Sequence, residues 1–431
     1  MGTTSEKLQK ILTTKESIKS AIISKGVSVA DSDTFASYAD KILEIQSTIT
    51  NSKINTVEEI KNNWKYKLVS STSNTNYSST AEAAKDFDDS TWDTISVPHD
   101  WSIYNEFNSS SAAGYEGGYL DGGDSWYRRK LALTDSTKQI YIYFDGVYKD
   151  CDIYVNGTKV GDNKWYNPFY FDITSELNFD GNDVLAVFVR NRQPSSRWYS
   201  GSGIIRNVYL VTGQKSALGI DNIKITSENL EEELYNGLVN TKIETDIINS
   251  TDSEINVSIK YTISFKGEEI NSLTTSSKLI VGNNKITNTI QIPNPVLWDE
   301  YKGNLYEAKI EITYGSDVIY SSKTKYGYRY FKFDSEKGFF LNGKSLKIRG
   351  VCLHHDLGCI GAEINSSAIE RQIRIMKDMG CNAIRITHNP ASPEILNICA
   401  REGIMVIEEA FDTWERIKKQ YDFSKDFNNY A

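Results

Sequence analysis

Between Lys347 and Asp412 three short apolar runs each finish in polar residues able to bind a ligand, and two segments of helical periodicity separate them. The first run, with Leu346, Ile348 and Val351, leads into His354, His355 and Asp356. Ile369, Ile373, Met376 and Met379 then recur at helical spacing until Gly380 closes the segment. The second run, Asn382 to Pro390, brings Arg385, His388 and Asn389. A short helix is predicted over about Pro393 to Arg401, stopped by Gly403, and the third run, Ile404 to Asp412, ends in carboxylates. Alternation of strand and helix implies parallel strands joined by crossover helices. Polar groups that gather only where strands finish place a site at one end of a (β/α) barrel.

The 431 residues are too many for one ordinary domain, and length alone suggests about three. From Trp64 to about Gly213 short alternating strands are punctuated by Gly, Asn and Asp, which predicts an antiparallel sandwich; Asn156-Gly157 marks a two-residue hairpin turn. From about Leu218 to Phe333 runs such as INVSIKYTISF and LYEAKIEITY alternate cleanly, with IPNPVLWDE between them. An immunoglobulin-like sandwich of about 110 residues fits that spacing. Residues 1–48 are of another kind. Leu8, Ile11 and Leu12 make an apolar face; Thr13 to Glu16 reads as a capping box that starts a helix carrying Ile18, Ala21 and Ile22 as far as Gly26. Asp33 caps a second helix with Phe35, Tyr38, Ala39, Ile42 and Ile45. So short a module buries little core alone, so it is expected to pack on copies of itself or on a partner. The polar stretch Gln46 to Thr56 links it to the β domains.

The 26 tyrosines and 8 tryptophans suit a β-rich protein, whether they pack inside it or stack on sugars. A net charge of -9 without a basic stripe excludes a phosphate-backbone partner. No apolar run approaches the ~20 residues of a membrane span. The charged opening MGTTSEKLQK is not a signal peptide, so the expected location is cytoplasmic when made, or a virion tail. Five cysteines without paired C-x-x-C spacing read as reduced core thiols. A metal site from Cys352, His354, His355 and Cys359 requires a strand and a loop to bring all four together.

RGVCLHHD, MKDMGCNAIRITHNP and EEAFDTW resemble the opening of the catalytic barrel of glycoside hydrolase family 2, the β-galactosidase and β-glucuronidase group. The landmarks VPHDW, SWYRRKLAL, YIYFDGVYKDCDIYVNGTKVG and RWYSGSGIIRNVYL are similar to that family's jelly-roll domain. Behind the helical module 1–48 read above, the resemblance implies a mainly β, multi-domain chain: jelly roll 64–213, immunoglobulin-like sandwich 218–333, and the first part of a TIM barrel, 338–431. It implies retaining hydrolysis of terminal β-glycosides. His354, Arg385, His388 and Asn389 would surround the sugar or support the nucleophile, Glu409 would match a carboxylate that can bind a divalent cation (Mg), and the segment Arg192 to Tyr199 would reach towards the site. The family's two catalytic glutamates fall after later barrel strands, so none is expected within residues 1–431. This chain alone is therefore expected to bind a glycan with a terminal β-linked sugar without cleaving it. The N-terminal phrase LQKILTTKESIKSAIISKGVSVADSDTFASYADKI resembles segments of bacteriophage tail proteins, which implies homo-oligomerisation or docking to a virion component, and offers a non-catalytic tail protein as the alternative.

Overall fold

The computed structural model describes residues 9, 12–16, 18–19, 56–70, 77–214, 223–249 and 253–426. The chain divides into two compact units, Met1–Thr56 and Val57–Ala431. In the first, residues 12–16 are helical and Thr13 Oγ1 donates to the Gln9 carbonyl at 2.9 Å, one turn back. Thr13 therefore lies inside a helix and not at its start, which overturns the capping box: the hydroxyl is used on the preceding turn. Leu12, expected on an apolar face, is 48% exposed and Ile18 is helical and half-buried, while the other residues of the expectations for 1–48 fall outside the described residues.

The second unit opens with a sandwich. One sheet orders β1 (Thr56–Glu59), β10 (Val208–Gln214), β5 (Lys138–Phe144) and β8 (Phe169–Asp172). The facing sheet orders β3 (Asp93–Ile95), β2 (Trp64–Ser70), β4 (Gly123–Leu131), β9 (Asp183–Asn191), β6 (Asp150–Val155) and β7 (Thr158–Lys164). Period-two alternation sends Ile142, Phe144, Cys151, Ile153, Val187 and Val189 into one core, each at most 1% exposed. Asn156 and Gly157 join β6 to β7 with φ of 50° and 90°, the left-handed pair that a type I′ hairpin requires.

A second sandwich follows. β11 (Ile223–Thr226), the short helix α1 (Leu230–Tyr235), β12 (Leu238–Asn249) and β15 (Gly282–Pro293) face the sheet β14 (Glu268–Leu279), β13 (Ile255–Phe265), β16 (Tyr306–Tyr314) and β17 (Asp317–Tyr326). Ile243, Ile259, Tyr261, Ile310 and Ile312 fill its core. The antiparallel ribbon β18 (Phe331–Asp334), β19 (Gly338–Leu341) and β20 (Lys344–Ser345) leads onward.

The last region is a three-stranded parallel sheet, β21 (Gly350–Leu353), β22 (Ala383–Ile386) and β23 (Met405–Ile407), crossed by α2 (Ser366–Asp378) and α3 (Pro393–Glu402). Asn365 caps α2 by accepting from Ala368 N, and Ser392 caps α3 with Pro393 in its first turn. Ile369 and Ile373 are buried on α2, but Met379 is 70% exposed and leaves the predicted apolar face. It lies past the last helical residue, where the 3.6-residue period no longer governs direction. The strands are shorter than the apolar runs predicted. Leu346 and Ile348 precede β21, and Glu408 and Glu409 lie beyond β23. All five cysteines are free; Cys151, Cys381 and Cys399 are buried, whereas Cys352 and Cys359 are exposed, which corrects the expectation of core thiols for those two. No described helix is long and apolar enough to cross a membrane.

Candidate functional site

The strand ends bring the predicted polar residues together. Arg385, in β22, donates from Nε to Glu409 Oε1 at 2.6 Å, and its Nη2 pairs with the same oxygen. His388 Nδ1 lies 2.6 Å from Glu409 Oε2. A carboxylate only accepts, so Nδ1 carries a proton and the other ring nitrogen is left for another partner. Burial alone would raise the Glu409 pKa, yet the hydrogen bonds from His388 and Arg385 hold it below the ordinary carboxylate value. Glu408 turns the other way and accepts from Ala391 N at 3.1 Å, so adjacent carboxylates diverge as expected of neighbours on extended backbone.

His354 and His355 also diverge. His354 Nδ1 lies 2.7 Å from the Thr387 carbonyl, and burial lowers its pKa. His355 contacts Asn389 Oδ1 through Nδ1 at 3.4 Å and the Ser200 carbonyl through Nε2 at 3.1 Å. Asn389 is 2% exposed and donates to the Pro390 carbonyl, so it braces the loop after β22. Each imidazole is taken up separately, and among the described residues no group of three His, Cys, Asp or Glu lies close enough to hold a metal ion. Both the four-residue cluster and a cation at Glu409 therefore lack a donor set here.

The first sandwich supplies the roof. The Trp198 ring stacks on His354 with centroids 5.3 Å apart and planes 9° apart, and meets His388 edge-on at 5.7 Å. Beside it lies a cavity of about 130 Å³ walled by Trp165, Tyr166, Trp198, His388, Phe411 and Phe423. Ser195, Ser196 and Arg197 line it too, so the segment Arg192 to Tyr199 does contribute to its wall. Arg197 grips Asp412 with two parallel bonds, Nε to Oδ2 at 3.0 Å and Nη2 to Oδ1 at 2.6 Å, and Lys418 adds a third at 2.9 Å. Burial opposes ionisation of Asp412, but these cations keep its pKa below the usual range. In the wall, Trp165 Nε1 and Thr413 Oγ1 are buried with no partner among the described residues.

A buried carboxylate fixes the roof to the floor. Asp100, 0% exposed, accepts from Ser102 Oγ at 2.7 Å, Ser202 N at 3.0 Å and Ala362 N at 2.9 Å, and from the Tyr199 hydroxyl. One side chain thus ties the loop carrying Trp198 to the parallel-sheet region. Gly201 and Gly361 allow this approach; a Cβ on either would stand 2.9 and 2.4 Å from Asp100 Oδ2, respectively. Trp165 and Phe423 were not foreseen in the sequence, because loop aromatics after a strand carry no signal that separates a cavity wall from a core.

Residues 334–428 match the family described as Glycosyl hydrolases family 2, TIM barrel domain, and residues 219–329 match Glycosyl hydrolases family 2. These two stretches belong to glycoside hydrolase family 2. A β-galactosidase of Bacteroides ovatus is 37% identical to this chain over 350 residues, 80% of the chain and 41% of that protein. A putative β-glucuronidase of Formosa agariphila is 34% identical over 353 residues, 79% of the chain and 32% of that protein. Among solved structures, a family 2 member from Bacteroides cellulosilyticus superposes with a TM-score of 0.80 at 29% identity, covering 86% of the chain and 48% of that protein. The chain therefore spans less than half the length of these family 2 relatives.

Proposed function

We propose that the chain provides the sugar-holding part of a β-galactosidase-like site for terminal β-linked glycosides. The observation that carries this reading is the Trp198 ring stacked on His354 and set against His388 beside an aromatic-walled cavity. An aromatic face supports the apolar C–H side of a pyranose, and orphaned donors such as Trp165 Nε1 and Thr413 Oγ1 suit its hydroxyls. The relatives named as β-galactosidases and β-glucuronidases support the same chemistry. His388 would bond a sugar hydroxyl, while His354, Arg385 and Asn389 hold the surrounding groups in place. In this reading the three parallel strands are the first part of a (β/α)8 barrel.

Retaining hydrolysis needs two carboxyl groups about 5 to 5.5 Å apart, one protonated and one free to attack. Glu409 is engaged by Arg385 and His388, Glu408 by Ala391 N, and Asp412 by Arg197 and Lys418. These commitments favour binding without turnover for residues 1–431, with acid and nucleophile supplied by other residues. A second reading, a non-catalytic glycan-binding component, rests on the same commitments. Calorimetric titration with methyl β-galactoside and an assay with aryl β-galactosides and β-glucuronides test the proposal. Binding weakened about tenfold by Trp198→Ala, with no aryl alcohol released, is the expected result. Release above a buffer control that disappears in Glu409→Gln would overturn the assignment of these carboxylates, and binding indifferent to Trp198→Ala would overturn the site.

A further inference from the structure

A second concave surface of about 830 Å³ lies where the first sandwich meets residues 360–365, and no residue lines both it and the cavity beside Trp198. Its aromatic element is Tyr104, at the end of the turn Trp101–Tyr104. That ring is 72% exposed and lies over His99, with centroids 5.8 Å apart and planes 24° apart, leaving a broad face to solvent. One exposed tyrosine is ordinary. What sets this surface apart is the polar groups around it. Trp101 is 3% exposed with its Nε1 unpartnered, and Asn105 Nδ2 is likewise buried and unpartnered among the described residues. Glu363 Oε1 accepts from Asp100 N at 3.1 Å, and Oε2 has no partner among the described residues. Buried donors are nearly always satisfied, so two orphans lining one groove call for an acceptor from outside the chain.

The charge of the groove narrows the ligand. Asp93 and Glu363 outnumber Lys61 on its walls, which disfavours a phosphate or a uronate. Nor is a chelated cation suited, because among the described residues no three His, Cys, Asp or Glu converge. A flat ring presenting its electron-rich face, with a carboxylate that accepts hydroxyl protons and amide and indole N–H groups that donate to oxygen, matches an uncharged polyhydroxylated ring. We propose that this groove is a second binding site, for a neutral saccharide, with Tyr104 as its stacking platform and Trp101, Asn105 and Glu363 as its hydrogen-bonding rim.

Saturation-transfer NMR on the 431-residue chain tests this with lactose and cellobiose as probes and glucuronic acid as the charged control. Transfer to a disaccharide should persist in Trp198→Ala, which disables only the other site. In the Trp198→Ala background it should weaken at least about tenfold on adding Tyr104→Ala and return on adding Tyr104→Trp instead, which restores a larger platform. The exposed position of Tyr104 keeps its variants folded, and an unchanged melting temperature verifies this. Complete loss of transfer in Trp198→Ala or, in that background, no change on adding Tyr104→Ala, equal transfer to glucuronic acid, or no transfer to either disaccharide would each overturn the proposal.

Discussion

At the scale of single residues, hydrogen-bond partners decide what each polar group can do. His99 is 6% exposed and contacts the Tyr127 hydroxyl through Nδ1 at 3.0 Å. Burial lowers its pKa from 6.5 to about 4, against the weaker opposing pull of Asp93. The unfolded chain then takes up a proton first as the pH falls, so His99 stabilises the fold fully above 6.5 and loses that contribution between 6.5 and about 4. A shift of that size corresponds to roughly 3 kcal/mol, and urea titrations across this window should show a shallower pH dependence for His99→Gln than for the parent. An identical slope in both would place the acid-sensitive group elsewhere. Arg385 and His388 were recognisable from their place at the end of a predicted strand. That both converge on Glu409 was not, since a contact across 24 residues depends on parallel register, which pairs Arg385 with Ile407.

At the scale of elements, the stops that close the two helical segments have different surroundings. Gly380 and Gly403 both adopt left-handed φ, 89° and 71°, after helices. A Cβ on Gly380 would meet nothing within 4 Å, whereas one on Gly403 would stand 2.4 Å from Lys302 N and 2.6 Å from Tyr301 N. Gly380→Ala should therefore cost about 1 to 2 kcal/mol from backbone conformation alone. Gly403→Ala should cost more than about 3 kcal/mol, because the neighbouring turn must also move. Chemical denaturation of the two variants measures the difference; equal losses would mean that the turn yields freely. Glycine as a stop was legible from the sequence for both. The turn against Gly403, whose carbonyl accepts from Tyr301 N at 2.8 Å, was not, because it comes from the second sandwich about 100 residues earlier. Strand existence was likewise readable and strand length was not: apolar runs continue past the three or four residues that pair.

At the scale of the whole molecule, seams between the β sandwiches and the parallel sheet hold the site in shape. Arg206, 1% exposed, donates to the Tyr166 carbonyl at 3.2 Å and reaches the carbonyls of Pro390 at 2.7 Å and Ala391 at 3.4 Å. Trp298 Nε1 donates to Ala400 O at 2.7 Å from the second sandwich. Arg206→Met removes the donor to the Tyr166 and Ala391 carbonyls and leaves the Pro390 carbonyl with Asn389 alone, at a cost of about 2 kcal/mol or more, and should split one melting transition into two as the parallel sheet loosens first. A single transition at an unchanged temperature would show that Arg206 is not a seam. Deleting residues 1–46 should leave the melt of the β domains in place and change the mass in solution, if those residues serve association; an unchanged mass with a collapsed melt would refute that role. The order of sandwiches and sheet was legible because periodicity is local, while seams join distant residues and leave no periodic trace. The placement of Trp198 also has a consequence in time. The roof of the cavity precedes its floor by 190 residues, from Trp198 to His388, so at about 5 to 20 residues per second a ribosome finishes the roof roughly 10 to 40 s before it makes the floor. The strands that carry Trp198 can fold in that interval, and the nascent parallel sheet then emerges onto a surface already shaped to receive it.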